Sequence, residues 1–131
     1  HAPAAKPPLV MLNDETLREL DSLQKSLGFS GRSETIRAAI RLLSADSKER
    51  TRLKGAITAV LIVIANEEHS AAITDISHDF QKLIKTQLHN HLETHNCFEL
   101  FVLQGDASLV KSLFERFQTS KKIAFAKLIV A

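Results

Sequence analysis

The sequence predicts an α+β fold in two parts: a short strand–helix–turn–helix module, then a βαββαβ domain. Three observations carry this. Leu17, Leu20, Leu23 and Leu27 recur at the three- and four-residue spacing of an amphipathic helix. Gly28-Phe29-Ser30-Gly31 interrupts the chain before a second helical pattern starts. From Gly55 onward, β-branched runs alternate with helical spacing in the order strand, helix, strand, strand, helix, strand.

The elements follow in order. Residues 1–8, His1-Ala-Pro-Ala-Ala-Lys-Pro-Pro8, lack an initiator Met and read as a disordered tail, processed or added for expression. Leu9-Val10-Met11-Leu12 is a short strand, and Asn13-Asp14 is a helix cap. The second helix places Ile36, Ile40 and Leu43 on one face, with Arg37 and Arg41 near the opposite side. Residues 9–46 are too few to bury a core alone, so this module is expected to dimerise. Ser44 to Lys54 is charged and aperiodic; 47–54 is taken as a linker, the alternative being the frayed end of the second helix.

The domain is expected over 55–131. Gly55 to Ile64 is a buried strand, and Ser70 to Lys85 is a helix carrying Ile73, Ile76, Phe80 and Leu83. Thr86 to Leu92 and Phe98 to Leu103 are strands around the polar hairpin Glu93-Thr94-His95-Asn96. Gly105-Asp106 opens a helix through Leu109, Leu113 and Phe117, and Ile123 to Val130 is the last strand. The order is that of the ferredoxin-like unit, four antiparallel strands with two helices on one face.

Composition narrows the function. Phe is the sole aromatic type, which argues against the stacking platforms of single-strand binders. Residues 1–54 carry ten Lys/Arg against seven Asp/Glu, whereas 55–131 carry seven against eight. A mildly basic first part on a near-neutral remainder hints at DNA contact. One cysteine permits no intramolecular disulfide and points to a reducing cytoplasm. The longest apolar run, Ala59 to Ala65, is far short of a membrane span, so no membrane partner is expected.

The chemistry concentrates in one place. His89 and His91 lie one pleat apart on the same strand face, and Cys97 opens the neighbouring strand across the hairpin. Two imidazoles and a thiolate suit a late transition metal, Ni, Cu or Zn, rather than Mg or Ca. The same residues also fit a solvated sheet face and a small core cysteine. Glu99, two residues after Cys97 and on its face, reads either as an acceptor orienting a ligand imidazole or as a solvated strand carboxylate. His69 reads as exposed at a helix start, and His95 as a turn residue in preference to a substitute ligand. A Cys–His nucleophile lacks an oxyanion loop and a third orienting residue, so catalysis is not expected.

At this point the chain resembles the nickel-responsive regulators of the NikR type, from about Leu12 onward. The resemblance is carried by Leu12-Asn-Asp-Glu-Thr-Leu-Arg-Glu-Leu-Asp-Ser-Leu23 and Gly31-Arg-Ser-Glu-Thr-Ile-Arg37, similar to ribbon-helix-helix modules. It is carried more specifically by Leu88-His-Asn-His91 and Cys97-Phe-Glu-Leu-Phe-Val-Leu-Gln-Gly-Asp106. It implies a ribbon-helix-helix dimer joined to a ferredoxin-like domain of the ACT type, assembled as a homotetramer, a dimer of dimers. It also implies a square-planar Ni(II) site formed by His89, His91 and Cys97 with His78 of the partner subunit. All four positions are intact here. Cu(II) or Zn(II) would compete in vitro.

The resemblance further implies a double-stranded DNA partner read by the outward side chains of the paired strands. Here those places fall on Pro7, Leu9 and Met11, none of which donates a side-chain hydrogen bond. The family's basic pair on the regulatory domain falls near Asn66 and Glu67, and its acidic residue one turn beyond Glu34 is Ala38. What remains for DNA is the start of the second helix around Gly31 to Ser33, a phosphate site, with Arg32, Arg37 and Arg41; the same residues also fit an ordinary solvated basic face. The expected function is a nickel-responsive transcriptional regulator. The alternative is a nickel-binding relative that has lost sequence-specific DNA binding and works through protein contacts.

Overall fold

A computed structural model of the chain describes residues 9–131; the tail predicted over 1–8 and Pro7 lie outside the described residues. The chain divides into two compact units between Glu49 and Arg50.

The first unit is two helices. Helix α1 spans Asp14–Leu27; the Asn13 side chain accepts the Thr16 N–H at 2.8 Å, and left-handed Gly28 ends it by donating its N–H to Gln24 O. Helix α2 spans Arg32–Thr51, and the Thr35 hydroxyl donates to Gly31 O at 2.9 Å. It runs on through 47–51, where composition suggested a linker or a frayed end; Ala45, Lys48, Glu49 and Arg50 are all good helix formers. The strand expected over Leu9–Leu12 is absent from the single chain. A ribbon strand finds its hydrogen-bond partners only on another strand, and the described residues of this unit offer none. The predicted leucine stripe is consequently open: Leu23, Leu27, Ile36, Ile40 and Leu43 are exposed, and only Thr35 of α2 is buried.

The second unit carries β1 (Ala56–Asn66), a 3₁₀ turn (Glu67–His69), α3 (Ser70–His78), β2 (Ile84–His91), β3 (Asn96–Asp106), α4 (Ala107–Thr119) and β4 (Phe125–Val130). The sheet is antiparallel throughout, in the order β2-β3-β1-β4, which is the ferredoxin-like arrangement. Helix α3 stops at His78, short of the expected Lys85. Beyond it Phe80 N–H bonds Ser77 O and Leu83 N–H bonds Phe80 O, so Leu83 reaches the core from successive tight turns.

Alternation sets the core. Ala59, Leu61, Val63 and Ala65 of β1 and Phe101 and Leu103 of β3 face Ile73 and Ile76 of α3 and Val110, Leu113, Phe114 and Phe117 of α4. Phe101 and Phe117 stack at 5.8 Å between centroids. Each such buried large side chain contributes roughly 1.5–3 kcal/mol. The opposite sheet face is also apolar: Val60, Ile62, Ile64, Phe98, Leu100 and Val102 are only half-buried, and Phe125 and Ile129 are exposed. No helix among the described residues is long and apolar enough to cross a membrane.

Candidate metal centre

The register of β2 and β3 builds the site. Antiparallel pairing sets His91 opposite Cys97 and His89 opposite Glu99, on the sheet face that the helices cover further along. Because β2 is the edge strand, its residues 85–91 are exposed, whereas Cys97 and Glu99 on β3 are buried. The site is therefore a wall of solvent-facing imidazoles on a buried floor of sulfur and carboxylate.

Two imidazoles and the thiol come together as the sequence predicted. The ligand atoms of His89, His91 and Cys97 all lie within 4.8 Å of one another. His89 Nε2 is 3.4 Å from His91 Nε2, Cys97 Sγ is 3.6 Å from His91 Nδ1, and the two rings meet edge-on at 81°. Burial, followed by the negative fields of Glu67 and Glu99, pushes the Cys97 thiol above its ordinary value. A metal that binds there must displace a proton. The donor set of two nitrogens and one sulfur, converging without an acidic ligand, fits a late transition metal.

Glu99 is not a solvated carboxylate. It is 5 % exposed, and its Oε1 lies 2.9 Å from His89 Nδ1, where a carboxylate can only accept. Its Oε2 is buried with no hydrogen-bond partner. Sequence reasoning missed Gln87, whose Nε2 donates to the same Oε1 at 2.8 Å. The available signal was period two, since Gln87 shares a strand face with His89.

His78 is not drawn into this cluster within one chain. It ends α3, exposed, with Nδ1 3.2 Å from Gln81 Nε2, beside a cleft of about 330 Å³ that Thr74, Ser77, Ile84 and Gln87 also line. His69 lies exposed in the 3₁₀ turn. His95 is a hairpin residue in the left-handed region (φ 62°), with Nδ1 3.4 Å from Glu67 Oε1. In the first unit, Val10 and Leu12 line an apolar groove with Leu17, Leu20, Leu23 and Ile36, while Leu9 and Met11 do not. Arg32 is engaged by Asp21 at 2.8 Å and Arg37 by Glu34, and Ser33 is exposed at the start of α2.

Comparison with known proteins identifies the family. A family model described as the NikR C terminal nickel binding domain matches residues 58–131. A protein of Methanococcoides burtonii, described as a candidate nickel-responsive regulator, is 33 % identical over 125 residues, covering 93 % of this chain and 89 % of its own length. A second such protein, from Methanosarcina mazei, is 37 % identical over 122 residues, covering 91 % and 87 %. Among solved structures, an uncharacterized protein of Thermotoga maritima shares the fold, at 12 % identity and a TM-score of 0.53, covering 57 % of this chain and 96 % of that one. With the nickel-domain match spanning β1 to β4 and the relatives spanning both units, the chain belongs to the NikR-type family of nickel-responsive regulators.

Proposed function

We propose that the chain is a nickel-responsive transcriptional regulator, with Ni(II) held by His89, His91 and Cys97 of one subunit and His78 of the partner subunit. The observation that carries this reading is the convergence of two imidazoles and one thiol across β2 and β3, inside the segment that matches the nickel-binding domain. Bound nickel would supply a cross-link between subunits, a coupling between the metal site and the output of the N-terminal unit. The residues around it have separable tasks. Cys97 provides the soft donor and gives up a proton, His89 and His91 provide nitrogen donors, and buried Glu99 orients His89. Cu(II) or Zn(II) would be accepted in vitro by the same donors.

The assembly we propose is a homotetramer, a dimer of dimers, in the cytoplasm. It is supported by two apolar surfaces that one chain leaves uncovered: the stripe of α1 and α2, and the half-buried face of the sheet opposite the helices. The test of the metal site is a nickel titration followed by visible absorption on the parent and on Cys97→Ala. A thiolate-to-nickel band saturating near one metal per subunit and lost in the variant is the expected result; a band indifferent to Cys97 sinks the proposal.

A second reading concerns the output. Leu9 and Met11 are 97 % and 94 % exposed, on the side of the segment away from the groove that Val10 and Leu12 line. Outward apolar side chains donate no hydrogen bond to base edges, and contact with thymine methyls is the readout left to them. Arg32 and Arg37 already hold acidic partners, which lowers their availability for phosphates. This favours a member that keeps the metal site and has lost sequence-specific DNA binding, acting through protein contacts. Anisotropy titrations against random double-stranded DNA at several salt concentrations, with nickel present, separate the two. Salt-sensitive binding supports the transcriptional role through Arg32, Ser33 and Arg37, and no binding at low salt removes it.

A further inference from the structure

We infer that Gln87 is a positioning residue of the metal centre: it pins the Glu99 carboxylate that holds His89 with its Nε2 lone pair free for the ion. The inference rests on the metal-centre reading and goes one residue further out. Glu99 has two partners, both on Oε1 and both from β2: the Gln87 amide at 2.8 Å and the His89 Nδ1–H at 2.9 Å. Its other oxygen is buried and without a partner, so no further hydrogen bond restrains the carboxylate plane. Two donors converging on one oxygen fix that plane, whereas His89 alone would leave it free to turn.

The consequence falls on the imidazole. A neutral imidazole carries one N–H, and Glu99 takes it at Nδ1. The lone pair then sits on Nε2, 3.4 Å from His91 Nε2 and facing the ligand cluster. In water the commoner histidine tautomer carries its proton on Nε2, the nitrogen needed here as a donor. The Gln87–Glu99–His89 relay therefore selects the less common tautomer before metal arrives. Gln87 can do this because it is two residues from His89 on one strand face and diagonal to Glu99, its register partner being Phe101.

The test uses the full chain. Long-range ¹⁵N–¹H spectra of the metal-free protein read the tautomer of His89, and chelator competition reads nickel affinity, for the parent, Gln87→Leu, Glu99→Gln and the double variant. Expected are an Nδ1–H His89 in the parent, a shift toward Nε2–H in Gln87→Leu, and nickel binding about tenfold weaker in that variant. The double variant should bind no more weakly than Glu99→Gln alone, because Gln87 acts through Glu99. An unchanged tautomer in Gln87→Leu, or losses that multiply in the double variant, overturn the relay. A parent that binds no nickel sinks the metal-centre reading instead, while the tautomer spectra still decide the relay in the metal-free protein.

Discussion

Replacing Glu99 by methionine should stabilise the metal-free protein while weakening its hold on nickel. Glu99 is 5 % exposed and leaves Oε2 buried without a partner. An unsatisfied buried acceptor costs about 1–3 kcal/mol, and taking a carboxylate out of water costs several more. Against this stand two hydrogen bonds at Oε1, from Gln87 and His89, worth about 1.5–3 kcal/mol each when the acceptor is charged. Both donors sit on the exposed edge strand, so water can replace what they lose. Methionine keeps the length and, since the Glu99 stem is already buried, adds only about one methyl-sized group of apolar burial, about 0.8 kcal/mol. The balance favours the variant by about 1–2 kcal/mol, a rise in melting temperature of about 4–8 °C per kcal/mol for a unit of this size. Nickel affinity should drop by about 10–100-fold, because His89 loses the group that orients it. Thermal unfolding by circular dichroism in chelator, paired with nickel competition, measures both. A variant that melts lower than the parent and binds nickel equally well would refute the reasoning on both counts.

Other outcomes follow from the same geometry. Nickel uptake should release a proton from Cys97, whose thiol burial pushes up, so apparent affinity should rise about tenfold per pH unit for that proton below its pKa; indicator-dye proton release checks it. Gly105→Ala should cost about 1–3 kcal/mol in urea unfolding, since a Cβ there would sit 2.6 Å from Leu83 Cδ1 in the core. Ser108 holds the Asp106 carboxyl below its ordinary 3.8 through the helix cap of α4. A depressed folded value means the contribution is present above 3.8 and lost as pH falls through the lower folded value, so Asp106→Ala should flatten the acid limb of stability; an unchanged acid limb counts against the cap.

Much of the fold and the donor set was legible because strand and helix periods differ so plainly here. Ile73 and Ile76 announced α3, and His89, His91 and Cys97 follow from alternation and a hairpin. The end of α3 was not legible, because Leu83 keeps helical spacing while reaching the core from a turn. Leu9–Leu12 reads as a strand by composition, yet a strand needs a neighbour to pair with, and the described residues of its unit offer none. Whether Glu99 was buried or solvated could not be read from spacing alone, and Gln87 had no meaning until Glu99 was seen to accept from it. For His78, spacing gives no partner, and within one chain it stands apart from the other three.

The half-buried face of Val60, Ile62, Ile64, Phe98, Leu100 and Val102 carries a consequence for how much protein a cell must hold. If copies of the chain cover this face for one another, folding and assembly become one equilibrium, governed by mass action. Melting temperature would then climb with protein concentration, and dilution would dismantle the proposed site, which takes His78 from another copy. Abundance would thereby act as a second input beside the metal: a scarce chain would be deaf to nickel at concentrations that an abundant one reports.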